Sequence, residues 1–170
     1  MRITVAAVGR KPTLGQSRQA APEQALAEDY RKRAAALGGK LGFTKLDFVT
    51  VATSRAAAAS ARMEDEAKKL NARIPAAAHC VVLDENGRSL SSEAFARHLA
   101  VLRDRGVRDL VFFIGGPDGL SPALRQSAAE SLALGPQTWP HQLVQVMLAE
   151  QIYRGFTILA GHPYHRGQTG

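Results

Sequence analysis

The chain has 170 residues, 45 % of them hydrophobic, which is ordinary for one globular domain with room for a buried core. A balance of 22 Lys+Arg against 15 Asp+Glu gives a net charge of +7 and favours a polyanionic partner such as nucleic acid. Several classes are excluded: Cys80 has no disulfide partner, five histidines without cysteine partners or HxxxH spacing make no zinc ligand set, and no G-x-S-x-G elbow supports a serine hydrolase.

In chain order, Ile3–Val8 reads as a short buried strand ended by Gly9, and Arg10 and Lys11 open a polar loop. The start MRITVAAVGRK has too short an apolar run for a secretory signal and no long apolar segment follows, so a cytoplasmic chain with no membrane contact is expected. Pro22–Leu37 predicts a helix stopped by Gly38 and Gly39, with Leu26, Tyr30 and Leu37 on one side. Its Arg31-Lys32-Arg33 run reads as a solvated face rather than a phosphate site. Phe43–Ala52 alternates as a second strand, and Ser54 is placed to cap an Ala-rich helix that runs to Leu70 and is ended by Pro75. His79–Leu83 is a third buried strand, followed by a turn at Asp84-Glu85-Asn86-Gly87.

Ser91 or Ser92 caps the next helix, whose Phe95, Leu99 and Leu102 recur at helical spacing until Gly106. Leu110–Ile114 is a wholly apolar fourth strand, Ser121-Pro122 starts another helix, and Ser131–Leu134 is a weaker fifth strand. Strands apolar on both faces and separated by helices predict a single α/β domain built on a parallel sheet covered on both sides. Pro140 can open a last helix, in which Leu143, Val144, Val146, Met147, Leu148, Ile152 and Tyr153 leave no broad polar face. Gln142, Gln145, Glu150, Gln151 and Arg154 interrupt it too often for a membrane span. Such a helix needs cover on several sides, either from its own chain or from a second copy in a homodimer with the site near the subunit boundary.

Ligands of an open parallel sheet sit beyond the carboxyl ends of its strands. Three such ends stand out: Leu83-Asp84, where an acid meets a ribose hydroxyl or simply shapes a turn; Gly115-Gly116-Pro117-Asp118-Gly119, where missing side chains let backbone approach a ligand; and the irregular run Leu134–Pro140. The glycine run is neither GxGxxG nor GxxxxGK[ST], so nothing supports a dinucleotide or nucleoside triphosphate. Acid, base and anion-binding candidates gather later, at His141, Glu150, Arg154, His162, Tyr164, His165 and Arg166.

Together, Leu110–Ser121, Thr138-Trp139-Pro140-His141, Glu150–Arg154 and His162-Pro163-Tyr164-His165-Arg166 resemble the SPOUT-class methyltransferases that methylate N3 of a pseudouridine in bacterial 23S ribosomal RNA. Leu83–Arg88 with Ser92-Glu93-Phe95-Ala96, and Tyr30–Arg33, are similar too. The resemblance covers nearly the whole chain. It implies a parallel sheet flanked by helices, a C-terminal trefoil knot, a homodimer, S-adenosylmethionine as cofactor and 23S rRNA or the ribosome as partner. Carried over by position, Leu83, Gly115, Gly116 and the run Leu134, Gly135, Pro136, Gln137, Thr138 and Trp139 would hold the cofactor, largely through backbone. The chain departs from the pattern in a longer Pro12–Ala21 segment, in Gln145 where arginine is common, in Gly135-Pro136 and Trp139, and in the extension Gly167–Gly170.

An imide nitrogen between two carbonyls is protonated at neutral pH and becomes nucleophilic as the proton leaves, so a base and nearby cations would help. His141 or His165 could take that proton, Arg154 and Arg166 could hold phosphate or a carbonyl oxygen, and Tyr164 could stack on the base. Structural rivals stand beside these roles: His141 packing at a helix start, and Arg154 paired with Glu150 at i,i+4 spacing. A different SPOUT RNA methyltransferase, or a non-catalytic RNA-binding module, stays open as an alternative.

Overall fold

The structure is a computed structural model that describes residues 1–9 and 21–165. Its elements are β1 (Arg2–Val8), α1 (Pro22–Gly38), β2 (Lys45–Val51), α2 (Ala59–Asn71), β3 (His79–Ser89), α3 (Ser92–Asp104), β4 (Asp109–Ile114), α4 (Pro122–Ser127), β5 (Glu130–Ala133) and α5 (His141–Leu159). The five strands form one sheet in the order β2-β1-β4-β3-β5, and every pairing is parallel.

Side-chain alternation along the strands builds two cores. Ile3, Val5 and Ala7 of β1 and Leu110, Phe112 and Ile114 of β4 face α1, α3 and α5, where they meet Ala34, Leu99, Leu102, Leu148, Ile152 and Phe156. Ala6, Val8, Val111 and Phe113 face the other way, onto Ala67 and Leu70 of α2 and Leu124 of α4. Both faces of β1 and β4 are therefore dry, which is why their sequences are almost continuously apolar. Phe43 stacks on Phe156 with ring centroids 4.4 Å apart, tying the segment before β2 to α5.

Capping follows the sequence at two helices and departs from it at a third. Ser91 Oγ accepts the Ala94 amide at the start of α3, and Ser121 Oγ accepts the Leu124 amide at the start of α4. Ser54 does not cap α2, which begins only at Ala59 and has no side-chain cap. Its amide is captured instead by Glu66 Oε1 at 2.8 Å, so a carboxylate on a later turn of α2 claims the residue. The third strand is also longer than expected. β3 resumes after an irregularity in which Leu83 and Arg88 both pair with Leu132, so Asp84–Gly87 loops out of a continuing strand instead of ending it. Leu26 lies on the open side of α1 rather than in its core stripe, which is carried by Ala27, Ala34 and Gly38.

α5 is covered mainly by its own chain, lying against α1 and α3. Val146, Leu148, Ala149, Ile152, Tyr153 and Phe156 are buried this way. Its first turn leaves Leu143 39 % exposed, beside Trp139 at 39 % and, on α1, Leu26 at 46 %. Among the described residues no helix is long and apolar enough to cross a membrane.

Phe112 is fully buried at the centre of the larger core. Phe112→Ala is expected to cost about 3–5 kcal/mol of stability, read as a lower urea midpoint at unchanged slope.

Candidate active site

Every strand runs the same way, so the irregular 84–87 stretch of β3 and the loops leaving β4 and β5 gather at one edge and line a cleft of ≈ 740 Å³. Leu83 with Asp84–Asn86 forms one wall, Gly115–Gly119 the floor, and Leu134, Gly135, Gln137, Thr138 and Trp139 the opposite wall. His141 and Val144 from the first turn of α5 close the end. Of the residues that sequence assigns to a cofactor, all line this cleft except Pro136, which is exposed.

The glycine floor has no room for side chains. A Cβ on Gly115 would lie 2.6 Å from the Gly119 carbonyl carbon, and one on Gly116 would lie 2.9 Å from Val8 Cγ1. Gly135, in the facing wall, has φ +100°, a conformation that a side chain would strain. The walls are pinned by polar contacts: Thr138 donates to Glu85 across the mouth, and the Trp139 indole donates to the Leu134 carbonyl at 3.2 Å. Asp84 is a structural acid, since Oδ1 accepts the Asn86 amide at 2.9 Å and Oδ2 accepts from Arg125 at 3.2 Å. The Asn86 amide, with Arg125 behind it, holds its carboxyl below the usual range. Arg125 and Val144 went unnoticed in the sequence, because nothing in a short helix or an apolar run announces which residue will turn to a neighbouring loop.

The remaining catalytic candidates assemble elsewhere, around Glu150 and the far end of α5. Arg154 donates Nε to Glu150 Oε1 at 2.8 Å, the i,i+4 pair weighed above. Tyr164 donates to the same oxygen at 3.1 Å, packs on Tyr153 with centroids 4.7 Å apart, and lies under the Arg154 guanidinium. Burial first, then the Tyr30 hydroxyl and Glu150, push the Tyr164 phenol well above its ordinary value, so it stays a donor at neutral pH. His165 Nε2 meets Glu93 Oε1 at 2.7 Å, and its Nδ1 faces Arg154 at 3.4 Å. A cation beside Nδ1 makes that nitrogen the acceptor and leaves the proton on Nε2. Arg166, Gly167–Gly170, and all of Pro12–Ala21 but its last residue lie outside the described residues.

His141 is thus on the cleft, while Arg154, Tyr164 and His165 are grouped further along the helix, around Glu150 and Arg154. The thirteen-residue step from His141 to Arg154 is about 20 Å along the helix axis at 1.5 Å per residue.

An all-parallel sheet with a loop-lined cleft at its carboxyl edge, and a histidine on the cleft wall, is the arrangement of an α/β enzyme domain. Comparison with known proteins narrows the class. A family model described as a predicted SPOUT methyltransferase matches residues 1–165. The chain is 53 % identical to the ribosomal RNA large subunit methyltransferase H of Nitrobacter winogradskyi, covering 98 % of this chain and 100 % of that protein. It is 52 % identical to the protein of the same name from Rhodopseudomonas palustris and 49 % identical to that from Bradyrhizobium diazoefficiens, each over 98 % of this chain and 99 % of the relative. The chain belongs to the SPOUT methyltransferase family, whose chemistry requires a methyl donor.

Glu93 sits in the first turn of α3, where its own backbone amide, then the Ser91 hydroxyl and then His165, lower its carboxyl to about 2 from an ordinary 4.5. Because the folded value lies below the unfolded one, the stabilisation is complete above pH 4.5 and is lost as pH falls towards about 2. Urea unfolding across that window should show the wild type losing its advantage over Glu93→Gln. A gap between the two that ignored pH would contradict the lowered Glu93 carboxyl.

Proposed function

We propose that this chain transfers a methyl group from S-adenosylmethionine to N3 of a pseudouridine in 23S ribosomal RNA, working in the cytoplasm as a homodimer on a ribosomal subunit or assembled ribosome. The observation that carries this reading is the convergence of the 83–88, 115–119 and 134–139 loops on one cleft with His141 on its wall. It is supported by similarity, along nearly the whole chain, to proteins named for methylating large-subunit ribosomal RNA.

The cleft suits such a donor. Its size is that of a cofactor site, its walls offer Leu83, Leu134 and Val144 to a flat apolar ring, and its glycine floor presents bare backbone. When bound, S-adenosylmethionine supplies an already activated methyl group, so the protein's work is alignment and removal of the acceptor's proton. His141 is the better base. Its imidazole has no hydrogen-bond partner among the described residues, whereas His165 is held between Glu93 and Arg154. Tyr164, His165, Arg154 and Arg166 then form a tail that orients the RNA: the arginines hold phosphate or a carbonyl oxygen and Tyr164 offers a ring to stack on.

The separation along α5 is what argues for two copies. One protomer keeps its tail against Glu150 and Arg154, well along the helix from its own cleft, and a second copy packed on the exposed Leu143, Trp139 or Leu26 would let tail and cleft meet across the boundary. A trefoil knot in the C-terminal part fits the same reading. The chain crosses behind β3 between β4 and β5, and the 134–139 loop then returns beside the 115–119 loop.

Mass spectrometry of 23S rRNA from cells with and without the protein tests the reaction. The expected result is a methylated pseudouridine that disappears with the gene, and an unchanged modification pattern would refute it. Calorimetry tests the cleft: S-adenosylmethionine should bind the wild type, and Gly115→Ala, whose new methyl would strike the Gly119 backbone, should bind at least about tenfold more weakly while keeping its circular dichroism. Mixing Gly115→Ala subunits with His165→Ala subunits should restore part of the turnover that each lacks alone. Restoration would fail if tail and cleft of one site came from the same chain.

A further inference from the structure

We propose that Arg62 and Glu66, one turn apart on α2, are positioning residues that hold the 115–119 loop in the shape the methyl donor requires. The inference rests on the reading of the cleft as the donor site.

Neither residue lines the cleft; both reach the loop from behind. Arg62 grips Asp118 with a two-pronged fork, Nε to Oδ2 at 2.7 Å and Nη2 to Oδ1 at 2.9 Å. Its remaining nitrogen donates to the carbonyls of Ala56 at 3.1 Å and Ala57 at 2.7 Å, so one guanidinium joins the segment ahead of α2 to the loop after β4. Glu66 is 2 % exposed. Oε1 holds the Ser54 amide, and Oε2 has no hydrogen-bond partner among the described residues and lies 3.2 Å from where a Cβ on Gly116 would be. Glu66 and Val8 therefore press on Gly116 from below while Arg62 anchors Asp118 two residues on.

A turn built from Gly115, Gly116 and Gly119 has almost no side chain with which to fix itself, and glycine gives it wide backbone freedom. One backbone bond, from the Gly119 amide to the Gly116 carbonyl at 2.9 Å, closes the turn, and without further ties a ligand bound there would have to select among its remaining shapes. A planar fork on Asp118 restricts that choice geometrically, which a lysine's point charge would not. Preorganisation of this kind improves binding by reducing the ordering that accompanies it.

The experiment compares wild type, Arg62→Lys, Asp118→Asn, their double variant, Glu66→Ala and Glu66→Gln by calorimetry with S-adenosylmethionine and S-adenosylhomocysteine, alongside thermal unfolding and steady-state kinetics. Arg62→Lys and Asp118→Asn should each weaken binding by about tenfold, and the double variant should be no weaker than either single, since one interaction is being removed twice. Arg62→Lys should raise the donor KM by a similar factor while kcat at saturating donor stays within about twofold. Glu66→Ala, which removes the atoms pressed against Gly116, should weaken binding by at least about threefold, whereas Glu66→Gln, which keeps the shape and the Ser54 contact, should bind within about twofold of wild type. Binding within twofold of wild type in Arg62→Lys and Glu66→Ala, or additive losses in the double variant, would overturn the inference. Wild type that bound neither compound would instead overturn the donor-site reading, and this inference with it.

Discussion

The central strands β1 and β4 are buried on both faces, and that burial constrains what can happen at the ends of the sheet. Side chains along the strands are committed to two dry cores, so no polar group can be placed there without leaving an unsatisfied partner. Because every strand is parallel, the chain can present chemistry only where strands stop and loops begin, and all of those stops lie on the same edge. The cleft between the 83–88, 115–119 and 134–139 loops is the consequence.

Loops so poor in side chains must be shaped by something else. Here the work is done by short polar ties from outside the floor of the cleft: Arg62 to Asp118, Arg125 to Asp84, Thr138 to Glu85, and the Trp139 indole to its own loop's carbonyl. The tail follows a different rule. Glu150 gathers Arg154 and Tyr164, and Glu93 holds His165, so two carboxylates on different helices dock a segment that has no secondary structure of its own.

Much of the fold was legible because its signals are local. The apolar runs at Ile3–Val8 and Leu110–Ile114, the Ser91 and Ser121 caps and the Pro140 helix start each depend on residues within a turn or two, and each appears in the structure. Ser54 and Asp84–Gly87 misled for the opposite reason. Ser54 met a buried carboxylate twelve residues away, and a turn-forming sequence was spliced into a strand because Leu132 on β5 could pair on both sides of it. The site divides along the same line. Glycines at strand ends and the His141 and His165 neighbourhoods could be picked out as residue types, and the family resemblance grouped them, whereas Arg62, Glu66, Arg125 and Val144 carry no mark in the sequence.

Alone, the sequence determined the class of domain, the direction in which its strands had to run, and which stretches were free to carry chemistry, since hydrophobic period, helix caps and glycine runs act over a few residues. Only the tertiary structure decided which of those stretches meet. It put His141 on the cleft and Arg154, Tyr164 and His165 about a helix length away, and it set α2 beneath the glycine loop. The physical reason is that contacts between distant segments depend on how two packed layers stack across the sheet, and no local pattern encodes that.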